Sequence, residues 1–154
     1  MADWTFHEGE IDRPDVRELL AQHFTEMRGG SPPSACHVLE PEALRDPAIR
    51  FVTLRESGRL LACGALKRLA SDHGEIKSMR TANSALGRGV GRAMLSHLRE
   101  IARSGGMTRL SLETGNSALF AAANRLYRSA GFVPCGPFAG YRPTEFTTFY
   151  TRAI

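Results

Sequence analysis

Apolar residues recur along the chain in two rhythms. Val16, Leu19, Leu20, Phe24 and Met27 return at helical spacing behind Asp12-Arg13-Pro14, where proline suits a first helical turn. Gly29-Gly30-Ser31-Pro32-Pro33 ends that helix and opens a loop, and a short helix is expected to begin near Pro41. Trp4-Thr5-Phe6-His7 reads as a short strand ahead of it. Phe51 to Arg55, Leu60 to Leu66 and Glu75 to Thr81 follow as three antiparallel strands. Ser57-Gly58 and Asp72-His73-Gly74 supply the turns between them.

The second half alternates. Val90, Met94, Leu98, Ile101 and Ala102 mark one face of a helix that Gly105-Gly106 ends. Thr108 to Glu113 is a strand. A second helix then carries Leu119, Ala123, Leu126, Tyr127 and Ala130 on its inner face, with Gly131 as its cap. Phe132-Val133 starts another strand, and Phe146 to Thr151 is the last, rich in β-branched and aromatic residues. Strands first, then strand–helix–strand–helix–strand, predict an α+β fold with a mixed sheet. At 154 residues the chain is expected to form a single domain over residues 1–154.

Composition narrows the classes. Hydrophobic residues make up 42% and charged residues 23%, as in ordinary globular proteins. The net charge of +4 comes mostly from arginine, whose planar fork suits oxyanions; Lys67 and Lys77 are the two lysines. No Lys/Arg cluster interleaved with aromatics appears, so nucleic acid is not an expected partner. No apolar run approaches a membrane span, and no signal peptide is evident at Met1-Ala2-Asp3-Trp4. Cys36, Cys63 and Cys135 are widely spaced and offer no metal-ligand pattern, which fits reduced thiols and a cytoplasmic location.

The chemistry gathers at Leu86-Gly87-Arg88-Gly89-Val90-Gly91-Arg92-Ala93. Glycines let the backbone turn tightly and approach a ligand, and the first N–H groups of the next helix face outward at its positive end. That is a cradle for phosphate. An NTPase loop needs lysine and Ser/Thr after the glycines, and Arg92-Ala93 stand there instead. A nicotinamide dinucleotide enzyme or sensor remains as the alternative reading. It rests on the glycines and on Glu113, about 20 residues further on.

The same loop resembles the acetyl-CoA loop of the GNAT superfamily, the GCN5-related N-acetyltransferases, written Q/R-x-x-G-x-G/A. Leu86 stands where that pattern has Gln or Arg. The segment Leu126-Tyr127-Arg128-Ser129-Ala130-Gly131-Phe132 resembles the family's L-Y-x-x-x-G-F signature. The resemblance implies a mixed, mostly antiparallel twisted sheet flanked by helices. It also implies an N-acetyltransferase that uses acetyl-CoA as co-substrate and no metal. An amine attacks the thioester directly in a ternary complex.

Residue by residue, the resemblance places backbone N–H groups from Gly87, Arg88, Gly89, Val90, Gly91, Arg92 and Ala93 on the pyrophosphate. The strand edge at Met79, Arg80 and Thr81 would pair with the pantetheine arm. Many members carry asparagine seven residues before the tyrosine. Phe120 stands there, with Asn124 nearby, as candidates for contacting the arm. Tyr127 resembles the general acid that protonates the leaving thiolate, since a phenol of pKa about 10 keeps its proton at neutral pH. Glu75 stands where some members place a general-base glutamate; Glu113, His73, His37 and ordered water are the other candidates. The acceptor site falls to segments 28–40 and 134–145. Phe138, Tyr141 and Arg142 there suggest a small-molecule amine or amino acid carrying a carboxylate. Many relatives are homodimers.

Overall fold

The computed structural model describes residues 3–30 and 40–154. Most of the loop expected after the first helix, with Cys36 and His37, lies outside the described residues. The elements are β1 (Trp4–Glu8), α1 (Pro14–Gly30), β2 (Ile49–Glu56), β3 (Arg59–Ala70), β4 (His73–Thr81), α2 (Val90–Ser104), β5 (Arg109–Gly115), α3 (Ala121–Ser129), β6 (Val133–Cys135) and β7 (Thr147–Ala153). The short helix expected near Pro41 is a 3-10 turn, Pro41–Arg45. Among the described residues, no helix is long and apolar enough to cross a membrane.

The strands form one sheet in the order β1-β2-β3-β4-β5-β7-β6. β1 to β4 run antiparallel, with tight turns joining β2 to β3 and β3 to β4. β4 and β5 are parallel, because α2 carries the chain back across the sheet before β5 begins. Among the described strands this is the one parallel pair. That departs from the doubly wound parallel sheet a dinucleotide fold needs.

The β4–β5 pairing stops early. It covers only His73↔Arg109, Gly74↔Leu110 and Glu75↔Ser111, whereas β5 pairs with β7 along its whole length. Beyond Glu75 the two strands part. On its other side β4 is bulged: the register with β3 jumps between Cys63 and Ala65, and Ser78 takes a left-handed φ of 52°. The bulge turns the last residues of β4 away from β5.

Period-two alternation divides the sheet's two faces. Leu54, Leu66, Ile76, Leu110, Leu112 and Tyr150 pack with Met94, Leu98 and Ala102 of α2 and Tyr127 of α3. Phe51, Cys63 and Ala65 pack on the opposite side with Val16, Leu19 and Leu20 of α1. Glu75 and Lys77 alternate with Gly74 and Ile76, and so belong to the α1 side.

One expectation fails at the second helix. Ala118–Phe120 form a 3-10 turn, and α3 begins only at Ala121. Three residues per turn rather than 3.6 rotate Leu119 outward, to 55% exposure, and bring Phe120 in, to 7%. The rest of the expected inner face holds: Tyr127 is buried, Ala123, Leu126 and Ala130 pack against the core, and Asn124 is buried with them.

Candidate active site

A cleft of about 840 Å³ opens where β4 and β5 part, and it reaches from the N-terminus of α2 to α1. At its phosphate end, Gly87 and Gly89 have φ of 76° and 80°. Gly89 is the N-cap of α2, and Ala93 N–H donates to its carbonyl at 3.0 Å. The N–H groups of Val90, Gly91 and Arg92 precede that first bond and have no acceptor within the helix. Ala93 is therefore removed from the expected set of donors: its amide is used, and its side chain packs toward the core. Gly91 has a different role. A Cβ there would sit 3.2 Å from Leu126 Cδ2, so it allows α2 and α3 to approach closely.

Gly89 has open space around its missing Cβ, so substitution there meets only the backbone cost. Gly89→Ala is expected to destabilise the fold by about 1–2 kcal/mol, with Gly89→Asn recovering part, because asparagine tolerates the left-handed region. Urea unfolding of the three proteins checks this; equal midpoints would contradict it.

Both arginine side chains of the loop have partners within the protein. Arg88 Nη2 ion-pairs with Glu56 at 2.8 Å and stands over the Trp4 ring, so its side chain is committed to the end of β2. Only its backbone faces the loop. Arg92 Nη2 donates to Ser129 Oγ at 2.6 Å, which ties α2 to α3 at the cleft wall.

Met79, Arg80 and Thr81 line the cleft on the part of β4 that β5 leaves unpaired. Phe120 also lines it. Its ring lies over Gly115, where an added Cβ would fall 2.1 Å from Phe120 Cε2. Asn124 is different. Its Nδ2 donates to the carbonyls of Gly115 and Phe120, both at 2.9 Å, and its Oδ1 accepts from Tyr150 at 2.8 Å. Both donor hydrogens and the acceptor are used inside the protein. Asn124, expected near the cofactor arm, fastens the start of α3 to β5 and β7.

Tyr127 sits at the end of α3 in a closed cap. Phe132 N–H donates to the Tyr127 carbonyl and Gly131 N–H to Arg128, each at 3.0 Å, with Gly131 at φ 89°. This is a Schellman ending, and the Tyr127–Phe132 ring contact at 6.0 Å is the apolar contact that accompanies it. The Tyr-x-x-x-Gly-Phe spacing thus has a local physical origin. The cap fixes the ring, Tyr127 is one of the residues lining the cleft, and its hydroxyl makes no hydrogen bond among the described residues. Burial pushes its pKa up to about 12.

On the α1 side, Glu75 is buried but not alone. Its Oε2 accepts from Lys77 Nζ at 3.1 Å and from Tyr141 Oη at 2.6 Å, and Lys77 Nζ also donates to Tyr141 Oη at 2.6 Å. Phe138, Tyr141 and Phe149 pack edge-on or tilted beside this triad. Glu113 lines the same cleft. His73 Nε2 pairs with Ser111 Oγ at 2.7 Å within the sheet. Beyond the bulge, Arg80 ion-pairs with Glu26 of α1. His23 lies beside that pair, with its Nδ1 buried and unpartnered among the described residues. Burial, and then the charge of Arg80, push the His23 pKa down to about 4, so it is neutral near pH 7.

Sequence reasoning missed Lys77, His23 and Glu26. Only Lys77 left a signal: residues two apart on a strand share a face, and Lys77 is two from Glu75.

Comparison with known proteins bears on the whole chain. Residues 13–132 match the model of the acetyltransferase (GNAT) family. An uncharacterized N-acetyltransferase of Escherichia coli (strain K12), YedL, is 42% identical over 98% of this chain and 95% of its own. Another of Bacillus subtilis (strain 168), YsnE, is 45% identical over 90% of this chain and 92% of its own. The fold also matches N-acetylglutamate synthase of Neisseria gonorrhoeae, solved with coenzyme A and N-acetyl-glutamate. The TM-score is 0.75 at 20% identity, over 99% of this chain and 35% of that one.

Proposed function

The chain belongs to the GNAT family of acetyltransferases, and from that premise we propose that it moves the acetyl group of acetyl-CoA to an amine of a small molecule or amino acid. The observation that carries this reading is a convergence. The edge of β4 that β5 leaves unpaired, the N-terminus of α2 and Tyr127 line one cleft.

Each residue then has a defined task. N–H groups of Val90, Gly91 and Arg92 bind pyrophosphate at the positive end of α2. Met79, Arg80 and Thr81 offer backbone groups to the pantetheine amides, as an added strand would use them. This aims the thioester past the parting of β4 and β5, toward the triad of Glu75. The acceptor enters from the α1 side, between Glu26 and Tyr141. Its nitrogen bonds to the acetyl carbon as the carbon–sulfur bond breaks. Glu75 takes the proton the amine sheds, and Tyr127 donates its hydroxyl hydrogen toward the sulfur. Nitrogen is acylated, sulfur leaves as thiol, and both protons are accounted for. The Neisseria enzyme, which shares this fold over 35% of its chain, was solved with coenzyme A and N-acetyl-glutamate, and this supports an acceptor of this class.

Calorimetry is expected to show acetyl-CoA binding with a dissociation constant between about 1 µM and 1 mM, the usual range for enzyme substrates. Glycine, L-glutamate, L-methionine, tyramine, spermidine and an alanine-initiated peptide form the acceptor panel, read by release of free thiol. No heat with acetyl-CoA up to about 1 mM would end this reading.

A further inference from the structure

We propose that Lys77 and Tyr141 are positioning residues for Glu75: they hold its Oε2 and so dedicate Oε1 to the acceptor's proton. The inference rests on the reading of Glu75 as the base. A carboxylate has about four lone-pair sites on its two oxygens. Here both protein donors converge on one oxygen, at 3.1 and 2.6 Å, and bond to each other at 2.6 Å. The triangle is closed. Oε1 receives no hydrogen bond among the described residues, and Glu75 lines the cleft.

The arrangement is selective about protons. Burial, and then the adjacent Glu75 carboxylate, raise the pKa of Tyr141 and keep its proton in place, so it acts on Glu75 as a fixed donor. Lys77 places an ammonium group 3.1 Å from the same carboxylate oxygen. The two also join distant parts of the chain. Tyr141 follows Lys77 by 64 residues and Glu75 by 66, so the triad latches the segment between β6 and β7 onto β4. The base and the wall of the acceptor site are thereby set by one contact.

Other charged groups face this site from every neighbouring strand. Lys67 of β3 is the register partner of Glu75, and Ser111 of β5 is its uncharged partner on the other side. Glu113 of β5 acts electrostatically on Tyr141. His73, two residues before Glu75, is held by Ser111, and the Arg80–Glu26 pair lies beyond the bulge. None of these is altered in the variants below.

The test follows kcat/KM against pH with acetyl-CoA and the panel amine of highest kcat/KM. It compares wild type, Glu75→Gln, Lys77→Met, Lys77→Arg and Tyr141→Phe. The ionisation of the amine is common to all five. If the triad sets the base, the acid limb of the profile moves to higher pH in Lys77→Met, and kcat/KM on that limb falls by about tenfold. Tyr141→Phe moves the limb the same way by less, and Lys77→Arg restores most of it.

The carboxyl carbon signal of Glu75 in ¹³C-labelled protein, assigned by its loss in Glu75→Gln, reads the same shift without an acceptor. Should Lys77→Met not fold, Tyr141→Phe alone must still move both readouts. A uniform loss at every pH, with the carbon titration unmoved, overturns the positioning role. An acid limb that survives unchanged in Glu75→Gln overturns the base itself, a separate outcome from failure of Lys77 and Tyr141 to move it.

Discussion

Tyr127→Phe is expected to lower kcat by about 10²-fold, the lower part of the range for general acid catalysis, while the dissociation constant for acetyl-CoA changes by less than about threefold. The asymmetry follows from where the ring and the hydroxyl lie. The ring packs with Phe132 and Tyr150 at 6.0 and 6.2 Å, and phenylalanine keeps both contacts. The hydroxyl makes no hydrogen bond among the described residues, so nothing inside the protein is orphaned by its removal. What is lost is a donor that acts only when sulfur acquires charge, and such a loss appears in kcat rather than in ground-state binding.

The raised pKa of Tyr127 sharpens this expectation. A hydroxyl at about 12 is fully protonated throughout the working range. It is also a weaker acid than a thiol near 8.5, so complete transfer to a thiolate runs uphill by about 5 kcal/mol at 1.36 kcal/mol per unit. Its main effect is therefore a strong hydrogen bond to the developing charge, with full transfer completed late. The wild-type rate should show no alkaline limb from Tyr127 below about pH 11. Steady-state rates by thiol release, paired with acetyl-CoA calorimetry, check both parts. A kcat within about threefold of wild type removes Tyr127 from the chemistry.

Much of this site is readable before folding, because its parts are local. A glycine loop before an apolar-periodic run specifies a helix N-terminus, and Tyr127, Gly131 and Phe132 specify the cap at the end of α3. What was not legible depends on pairing at long range. The cleft exists because β4 and β5 pair over three residues and then part, and nothing in either strand announces where pairing stops. The partners of Glu75 include a tyrosine 66 residues away. The ion pair of Arg88 with Glu56 likewise joins residues 32 apart in the chain.

The outward turn of Leu119 has a subtler reason. A helix wheel started at Leu119 assumes 3.6 residues per turn from there onward. The 3-10 turn at Ala118–Phe120 breaks that phase. Phe120 then occupies the inner position, against a Gly115 that leaves room for its ring. Asn124 is carried inward with it, where Tyr150 and two carbonyls await its amide.

The largest stability effect is expected at a residue that reads from sequence only as a strand arginine. Arg55 is 2% exposed in the middle of the α1 face. Its guanidinium bonds Glu10 at 2.9 Å, Asp15 at 2.6 and 3.0 Å, and the Gly58 carbonyl at 3.0 Å, and Thr53 donates to the same Glu10 oxygen at 2.7 Å. It therefore ties β2 to the start of α1, the helix that presents His23 and Glu26 to the cleft. Arg55→Ala leaves these acceptors without their donor, and losing one partner of a buried pair costs about 3–5 kcal/mol. The lower end applies, because the Asp15 side chain is 43% exposed and can be rehydrated. At about 2–4 °C per kcal/mol for a chain of this size, the melting temperature should fall by about 6–12 °C.

The pH dependence has a definite sign. The hydrogen bond from Arg55 holds Asp15 below its ordinary value. Burial opposes the same effect at Glu10, but the hydrogen bonds from Thr53 and Arg55 outweigh it. Groups with depressed folded values stabilise above their unfolded values and lose that contribution as pH falls through the folded ones. The gap between wild type and Arg55→Ala should thus be full at pH 7 and narrow below about pH 4, as the wild type protonates the same carboxylates. Arg55→Met with Glu10→Gln and Asp15→Asn should recover part of the loss, since no buried charge is then left unpaired. Thermal unfolding of the three proteins from pH 3 to 8 measures this. A gap that stays constant across that range would assign the effect of Arg55 to packing of its stem rather than to its charge.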